Sequence, residues 1–194
     1  MPEETFMAEL PKHAKVVVIG QGGIVGASVV HHLIEEGWDD IVGLEKSAIP
    51  TDIGSTSHAS DFCYMTTHDK LNVFTSTYSR EFYKKRGNYI EIGGMEVARK
   101  DDDERMLELI RKVGSGKAFG TNAHMISAAE AKEKFPLLEE SEIQGALWDP
   151  DAGLVTPRSQ KVAGDLVDEA VASGKLKAFA YTPATKILVE DGVA

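Results

Sequence analysis

The sequence predicts an α/β fold: a doubly wound, Rossmann-like parallel sheet, incomplete within 194 residues, with an α+β segment inserted into it. Three observations predict this. Short apolar runs alternate with helical patterns. A glycine-rich turn follows the first run at once and opens a helix. The second run ends in an acid, the order a dinucleotide site needs.

Val16-Val17-Val18-Ile19 is fully apolar, as a strand buried on both faces should be. Gly20-Gln21-Gly22-Gly23-Ile24-Val25-Gly26 follows, and a helix is expected over 27–36, stopped by Gly37. Glycines let a backbone approach a pyrophosphate, and the helix start adds free N–H groups and a positive dipole end. The usual pattern is G-x-G-x-x-G. Gly20 and Gly22 fit it from one end, and Gly23 and Gly26 fit it from the other. The turn is therefore one residue longer than the standard form. Ile41-Val42-Gly43-Leu44 is the second strand, and Glu45 at its end suits ribose hydroxyls.

Lys70 to Arg86 reads as a helix with Asp69 as N-cap, Gly87 as stop, and Leu71, Phe74, Tyr78 and Phe82 on one face. Tyr89–Ile92 and Met95–Ala98 read as strands around Gly93-Gly94, a hairpin signal. Asp101 to Glu104 opens a helix that closes at Arg111-Lys112, acid first and base last. Ser127-Ala128-Ala129-Glu130 is a capping box whose short helix ends before Pro136. Thr156-Pro157 should open the last long helix, with Val162, Leu166, Val167, Ala170 and Val171 buried and Gly174 as its end. Leu176 to Phe179 is expected to join the first two strands, and Ile187 to Val189 to begin another. Met1 to Ala14 reads as a loose tail.

Composition bounds the function. A net charge of −10 argues against nucleic acid and anionic membranes as partners. The apolar runs are too short to span a bilayer, and the start lacks the basic and apolar regions of a secretory signal. Cys63 is the only cysteine, so no internal disulfide can form, and a cytoplasmic location is the expectation. Several motifs fail. In Gly114-Ser115-Gly116-Lys117, Arg111 stands where a phosphate loop needs its first glycine and Ala118 where it needs Ser or Thr. His31 and His32 are neighbours on a helix and point apart, and no C-x-x-C, H-E-x-x-H or G-x-S-x-G occurs.

The loop after the second strand makes the sequence recognisable. VVVIGQGGIVGAS, GLEKS and GSTSHAS together resemble the flavin-dependent amine oxidoreductases of the dimethylglycine oxidase, dimethylglycine dehydrogenase and sarcosine dehydrogenase group, within the D-amino-acid-oxidase-like superfamily. IGGMEVAR at 92–99, ISAAEAKEKFPLL at 126–138 and GALWDPDAGLVTP at 145–157 extend the resemblance. It implies a tail at 1–14, an FAD-binding domain begun by 15–86 and resumed by 146–194, and part of a substrate domain over 87–145.

The resemblance also implies roles. The backbone of Gly20 and of Gly22 to Gly26, with Ile24 and Val25, should lie under the FAD pyrophosphate. Glu45 should hold the adenosine ribose with Lys46 beside it. Ser55, Thr56 and Ser57 should line the diphosphate and ring, Phe62 should make a backbone contact, and Thr185 should meet adenine. His58 falls where the group's histidine bonds covalently to the 8α-methyl of FAD; from the residue alone, a histidine that only hydrogen-bonds is the other reading. Asp61 stands near where the group has glycine. The implied reaction is oxidation of a small secondary or tertiary amine, dimethylglycine- or sarcosine-like, by hydride transfer to flavin. The group's substrate-holding residues lie beyond residue 194, so no catalytic residue is assigned, and a missing C-terminal half or a second subunit is an expected partner. The alternatives are a truncated flavin-binding module without activity of its own and an NAD-dependent dehydrogenase, in which the Ser-Thr-Ser-His loop has no job.

Overall fold

A computed structural model describes residues 9–191, which divide into two compact units. One comprises the chain up to Ala59 and from Ser159, the other Ser60–Arg158. These bounds differ from the expected divisions at 86/87 and 145/146. The helix at 70–85 packs on a strand at 89–91, and the strands at 143–149 and 153–155 pair only with strands of the second unit, so all of them fall there.

The first unit holds β1 (Val16–Ile19), α1 (Ile24–Glu35) and β2 (Ile41–Leu44). A later segment adds α5 (Ser159–Ala172) and β9 (Leu176–Phe179). Its sheet has the order β1-β2-β9, all parallel, with Val17 opposite Val42 and Val42 opposite Lys177. The third strand therefore joins the first two as expected. Crossovers between parallel strands are right-handed, so two successive steps in one direction put α1 and α5 on the same face. The helices pack on each other, burying Ala27 and Val30 with Val162, Ala163, Leu166 and Val167. Val17 and Ile19 alternate to the other side of β1 and stay 53% exposed.

Several local expectations need correction. α1 starts at Ile24, not Ala27, because the turn feeds straight into it. α5 starts at Ser159, not at Thr156-Pro157; the Thr156 N–H and carbonyl are both bonded to Asn88, so this residue ends a strand instead of capping a helix. Val171 is 45% exposed and lies off the buried face. Ile187, Leu188 and Val189 form no strand and are each 64% exposed.

The second unit contains β3 (Phe62–Cys63), α2 (Lys70–Lys85), β4 (Tyr89–Glu91), β5 (Gly94–Arg99) and α3 (Asp103–Ala118). It continues with β6 (His124–Ser127), α4 (Ala128–Lys134), β7 (Ile143–Asp149) and β8 (Gly153–Val155). Two antiparallel sheets form, ordered β3-β8-β4 and β5-β7-β6. The expected 89–98 hairpin is absent: β4 pairs β8 and β5 pairs β7, so Gly93-Gly94 hands the chain from one sheet to the other. Both glycines are needed for space. A Cβ at Gly93 would lie 2.1 Å from the Trp148 ring, and one at Gly94 would lie 2.5 Å from the Phe62 ring.

α3 runs to Ala118, past the expected close at Lys112, so the Gly114–Lys117 stretch is helix and not a phosphate loop. It is capped by the Asp102 carboxylate, which accepts from Arg105 N–H, and Leu109 and Val113 face a core with Ala98, Ala123 and Leu147. The cap at Asp69 and the capping box at Ser127, both read from the sequence, are present. The expected face of α2 is not buried: Leu71 and Phe74 are 67% and 66% exposed, and Val73 is the buried residue of this helix. No helix of the described residues is long and apolar enough to cross a membrane.

Candidate functional site

In open parallel sheets, ligands bind beyond the carboxyl ends of the strands. Gly20, Glu45 and Thr182 stand just past the ends of β1, β2 and β9, and all three line a cleft of about 440 Å³. The turn that begins this cleft is tight. Gly20 has φ +83°, a left-handed conformation that favours glycine, and the Gly23 N–H donates back to its carbonyl. Gly26 lets the helix sit on the turn, because a Cβ there would lie 2.3 Å from the Gly20 oxygen and 2.6 Å from the Gln21 Cα. The N–H groups of Val25 and Gly26 lie in the first turn of α1, whose donors have no acceptor within the helix.

The extra residue of the turn is absorbed inward. Gln21 is fully buried, and its side chain fills the space above Gly43, where a Cβ would lie 2.5 Å from the Gln21 Cγ. Neither its amide nitrogen nor its amide oxygen has a partner among the described residues.

Glu45 is 4% exposed. Its carboxylate accepts from the Gly22 N–H at 3.2 Å and from the N–H and hydroxyl of Ser47 at 3.2 and 3.3 Å. A Cβ at Gly22 would lie 2.8 Å from the Glu45 Cγ, so glycine is required for this approach. A carboxylate offers about four acceptor positions, so room remains for hydroxyl donors of a ligand. Lys46 is exposed at the cleft wall beside it. The segment after β9 closes the same wall: Glu45 N–H donates to the Phe179 carbonyl, and Thr182 N–H donates to the Glu45 carbonyl at 2.7 Å.

The loop after β2 forms the remaining side. Thr51 N–H donates to the Gly22 carbonyl at 3.0 Å, and the Thr56 hydroxyl accepts the Ile24 N–H at 3.0 Å. His58 ends a short run of tight turns, its N–H bonded to the Ser55 carbonyl. Its ring Nδ1 lies 3.0 Å from the Gly54 carbonyl oxygen and 3.1 Å from the Ser57 hydroxyl. A carbonyl only accepts, so the neutral tautomer that fits this contact carries its proton on Nδ1 and leaves the lone pair on Nε2. His58 itself is exposed.

The structure thus brings Gly20, Gly23, Val25, Gly26, Glu45, Lys46, Ser55 and Thr56 to one cleft. Gly22 and Ile24 bond to its walls, and Ser57 and His58 follow directly on Thr56 in the same loop. Thr185 is exposed and outside the cleft lining, which Thr182, Pro183 and Ala184 reach. Phe62 belongs to the second unit, where it pairs with Leu154. Thr51 and Ser47 were not legible as site residues, since their roles are set by hydrogen bonds to residues distant or irregular in sequence. Asp61 adopts φ +63°, a conformation glycine takes freely, and its carboxylate accepts from Arg158. Among the described residues no group of three His, Cys, Asp or Glu side chains could hold a metal.

The cradle fits FAD: glycines where a Cβ would clash, a buried carboxylate with acceptor positions left, and first-turn donors at one cleft. Comparison with known proteins agrees. Residues 15–194 match the family described as DAO, FAD dependent oxidoreductase. The chain is similar to the pyruvate dehydrogenase phosphatase regulatory subunit of Mus musculus, at 29% identity over 97% of this chain and 21% of that protein. It is also similar to the sarcosine dehydrogenase of Homo sapiens, at 31% identity over 76% of this chain and 16% of that protein. Among solved structures, L-proline dehydrogenase from P. horikoshii superposes with a TM-score of 0.82 at 29% identity, covering 94% of this chain and 48% of its own. The chain therefore spans about a fifth of these curated relatives and about half of the solved one.

Proposed function

Because the chain belongs to the FAD-dependent oxidoreductase family, we propose that its first unit holds FAD for the oxidation of a small secondary or tertiary amine, an N-methyl amino acid of the dimethylglycine or sarcosine kind. The observation that carries the proposal is the Glu45 carboxylate, buried and bonded to the Gly22 N–H at the mouth of the glycine turn. In this reading the turn and the first N–H groups of α1 take the diphosphate. Glu45 accepts from the ribose hydroxyls, and Ser55 and Thr56 line the path toward the ring. When bound, FAD accepts a hydride from the carbon next to the amine nitrogen. The protein's part here is to bind and orient the cofactor.

We further assign His58 as the point of covalent attachment. The Gly54 carbonyl occupies Nδ1, so in the neutral ring Nε2 is the nitrogen free to act as nucleophile. A cytoplasmic location is part of the proposal.

A second reading has a specific observation behind it. The relative matched over nearly the whole chain is named as a regulatory subunit, so the unit could serve as a flavin-fold module that binds without turning over an amine. One experiment separates these readings. The protein is precipitated with acid, and the washed pellet is examined for flavin absorbance, with a His58→Ala variant alongside. Colour retained by the parent and lost by the variant supports the covalent flavoprotein. Free FAD bound by a folded protein whose pellet is colourless reduces His58 to a contact. A folded parent that binds FAD yet reduces no flavin when given sarcosine or dimethylglycine favours the regulatory reading, and one that binds no flavin overturns both.

A further inference from the structure

The loop between β2 and β3 leaves the sheet at the cleft and ends in the His58 turn. Three contacts fix its first half. Thr51 N–H donates to the Gly22 carbonyl, the Gln160 amide donates to the Thr51 carbonyl at 2.9 Å, and Pro50 packs 3.2 Å from where a Cβ at Gly164 would be. The second half is bonded mostly to itself: Ser57 N–H and hydroxyl to the Gly54 carbonyl, His58 N–H to Ser55, Ala59 N–H to Thr56. A side-chain bond from Thr56 ties it to α1. The Thr56 hydroxyl, 9% exposed, accepts the Ile24 N–H at 3.0 Å.

Ile24 is the first residue of α1, so its N–H is one of the four at a helix start that have no acceptor within the helix. An N-cap side chain serves the second or third helical N–H, which leaves this first one to an acceptor from outside the helix. Here the cap comes from 32 residues further along the chain. A Cβ at Gly23 would stand 3.4 Å from the Thr56 oxygen, so loop and turn meet here at van der Waals distance. Thr56 also lines the cleft, and its own O–H proton has no acceptor among the described residues. A hydroxyl that accepts from a helix N–H can donate to an anion at the same helix end.

We propose that Thr56 is a positioning residue: by capping α1 from the loop, its hydroxyl pins the His58 turn to the helix end that receives the cofactor's diphosphate, so that cofactor binding and loop order reinforce each other. The link to the cofactor rests on the FAD reading above; the pin itself does not.

The test is amide hydrogen exchange at residues 55–59, with and without FAD, in the parent, Thr56→Val, Thr56→Ala and Thr56→Ser. FAD affinity is measured on the same samples by flavin fluorescence. Serine keeps the hydroxyl, whereas valine and alanine remove it. The expected result is exchange about tenfold faster at 55–59 in the valine and alanine variants, with β1, β2 and β9 still protected, and the serine variant within about twofold of the parent. Added FAD should slow the loop strongly in the parent and the serine variant and weakly in the other two. Loop exchange in both hydroxyl-free variants equal to the parent's overturns the pin, as does a serine variant that behaves like alanine. Should valine prevent folding, the alanine and serine pair decides by the same criteria. A parent that shows the loop contrast but binds no FAD supports the pin and overturns the FAD reading.

Discussion

Gly26→Ala adds one methyl group to the first turn of α1. That Cβ would lie 2.3 Å from the Gly20 oxygen, 2.6 Å from the Gln21 Cα and 2.8 Å from the Gly20 carbonyl carbon. All three are backbone atoms of a turn fixed by its own hydrogen bonds, so no rotamer change relieves the clash. Overpacking of this kind costs about 1–3 kcal/mol, and contacts to backbone belong at the upper end. The helix propensity gained by replacing glycine, at most about 1 kcal/mol, offsets part of it. A net loss of about 2–3 kcal/mol lowers the melting temperature of a chain this size by roughly 4–12 °C. The control is Gly114→Ala in α3, where a Cβ meets nothing within 4 Å. There only the propensity term acts, and about 1 kcal/mol of stabilisation is expected. Thermal unfolding followed by circular dichroism at 222 nm compares the two, and flavin fluorescence reports whether the displaced turn still binds FAD. A Gly26→Ala protein that melts within about 1 °C of the parent and keeps its flavin would refute the close approach of turn and helix.

Three further outcomes are expected. Gln21→Met should raise stability by about 1–2 kcal/mol, because it removes a fully buried amide with no partner at nearly constant volume; a lower melting temperature would mean that the amide is bonded in solution. Asp149→Asn should cost about 3 kcal/mol, since the buried carboxylate accepts from the N–H groups of Met65, Thr66 and Asp151 and an amide cannot accept on both sides; urea titration measures it. Hydrogen bonds from Lys84 and Arg80 hold the Glu91 carboxyl below its usual range, so its stabilising contribution is present above that range and is lost as pH falls through the lowered value. Melting curves of Glu91→Gln and parent should therefore differ slightly at neutral pH, the pair being half exposed and screened, and converge in acid; curves that stay parallel at every pH would refute the assignment.

The local grammar of the chain was legible because it acts over a few residues. Caps at Asp69 and Ser127, the two apolar strands and the stop at Gly37 depend only on neighbours. The failures were non-local. Gly93-Gly94 carries the composition of a hairpin turn, yet β4 and β5 find partners in β8 and β7 more than forty residues away, and a turn signal does not say which strand comes next. β6 and β7 were not expected at all, since each pairs across the chain. The α2 stripe of Leu71, Phe74 and Tyr78 has helical spacing and is nonetheless exposed, because periodicity reports a face and not what covers it. Asp61 shows the reverse: its left-handed backbone gives a reason why glycine would suit that position.

By itself the sequence determined the strand–glycine turn–helix–strand–acid order of residues 16–45, and with it the place of a dinucleotide cradle, because strand, turn and helix propensities are short-range and steric. Only the tertiary structure decided how that cradle is closed. It set the inserted Gln21 inward over Gly43, held Glu45 on Gly22 and Ser47, brought Thr182 to the cleft wall, and made Thr56 the cap of a helix that begins 32 residues earlier. The physical reason is that a buried donor or acceptor takes whichever partner the packed chain brings within about 3 Å, and that partner is chosen by topology, not by spacing along the sequence.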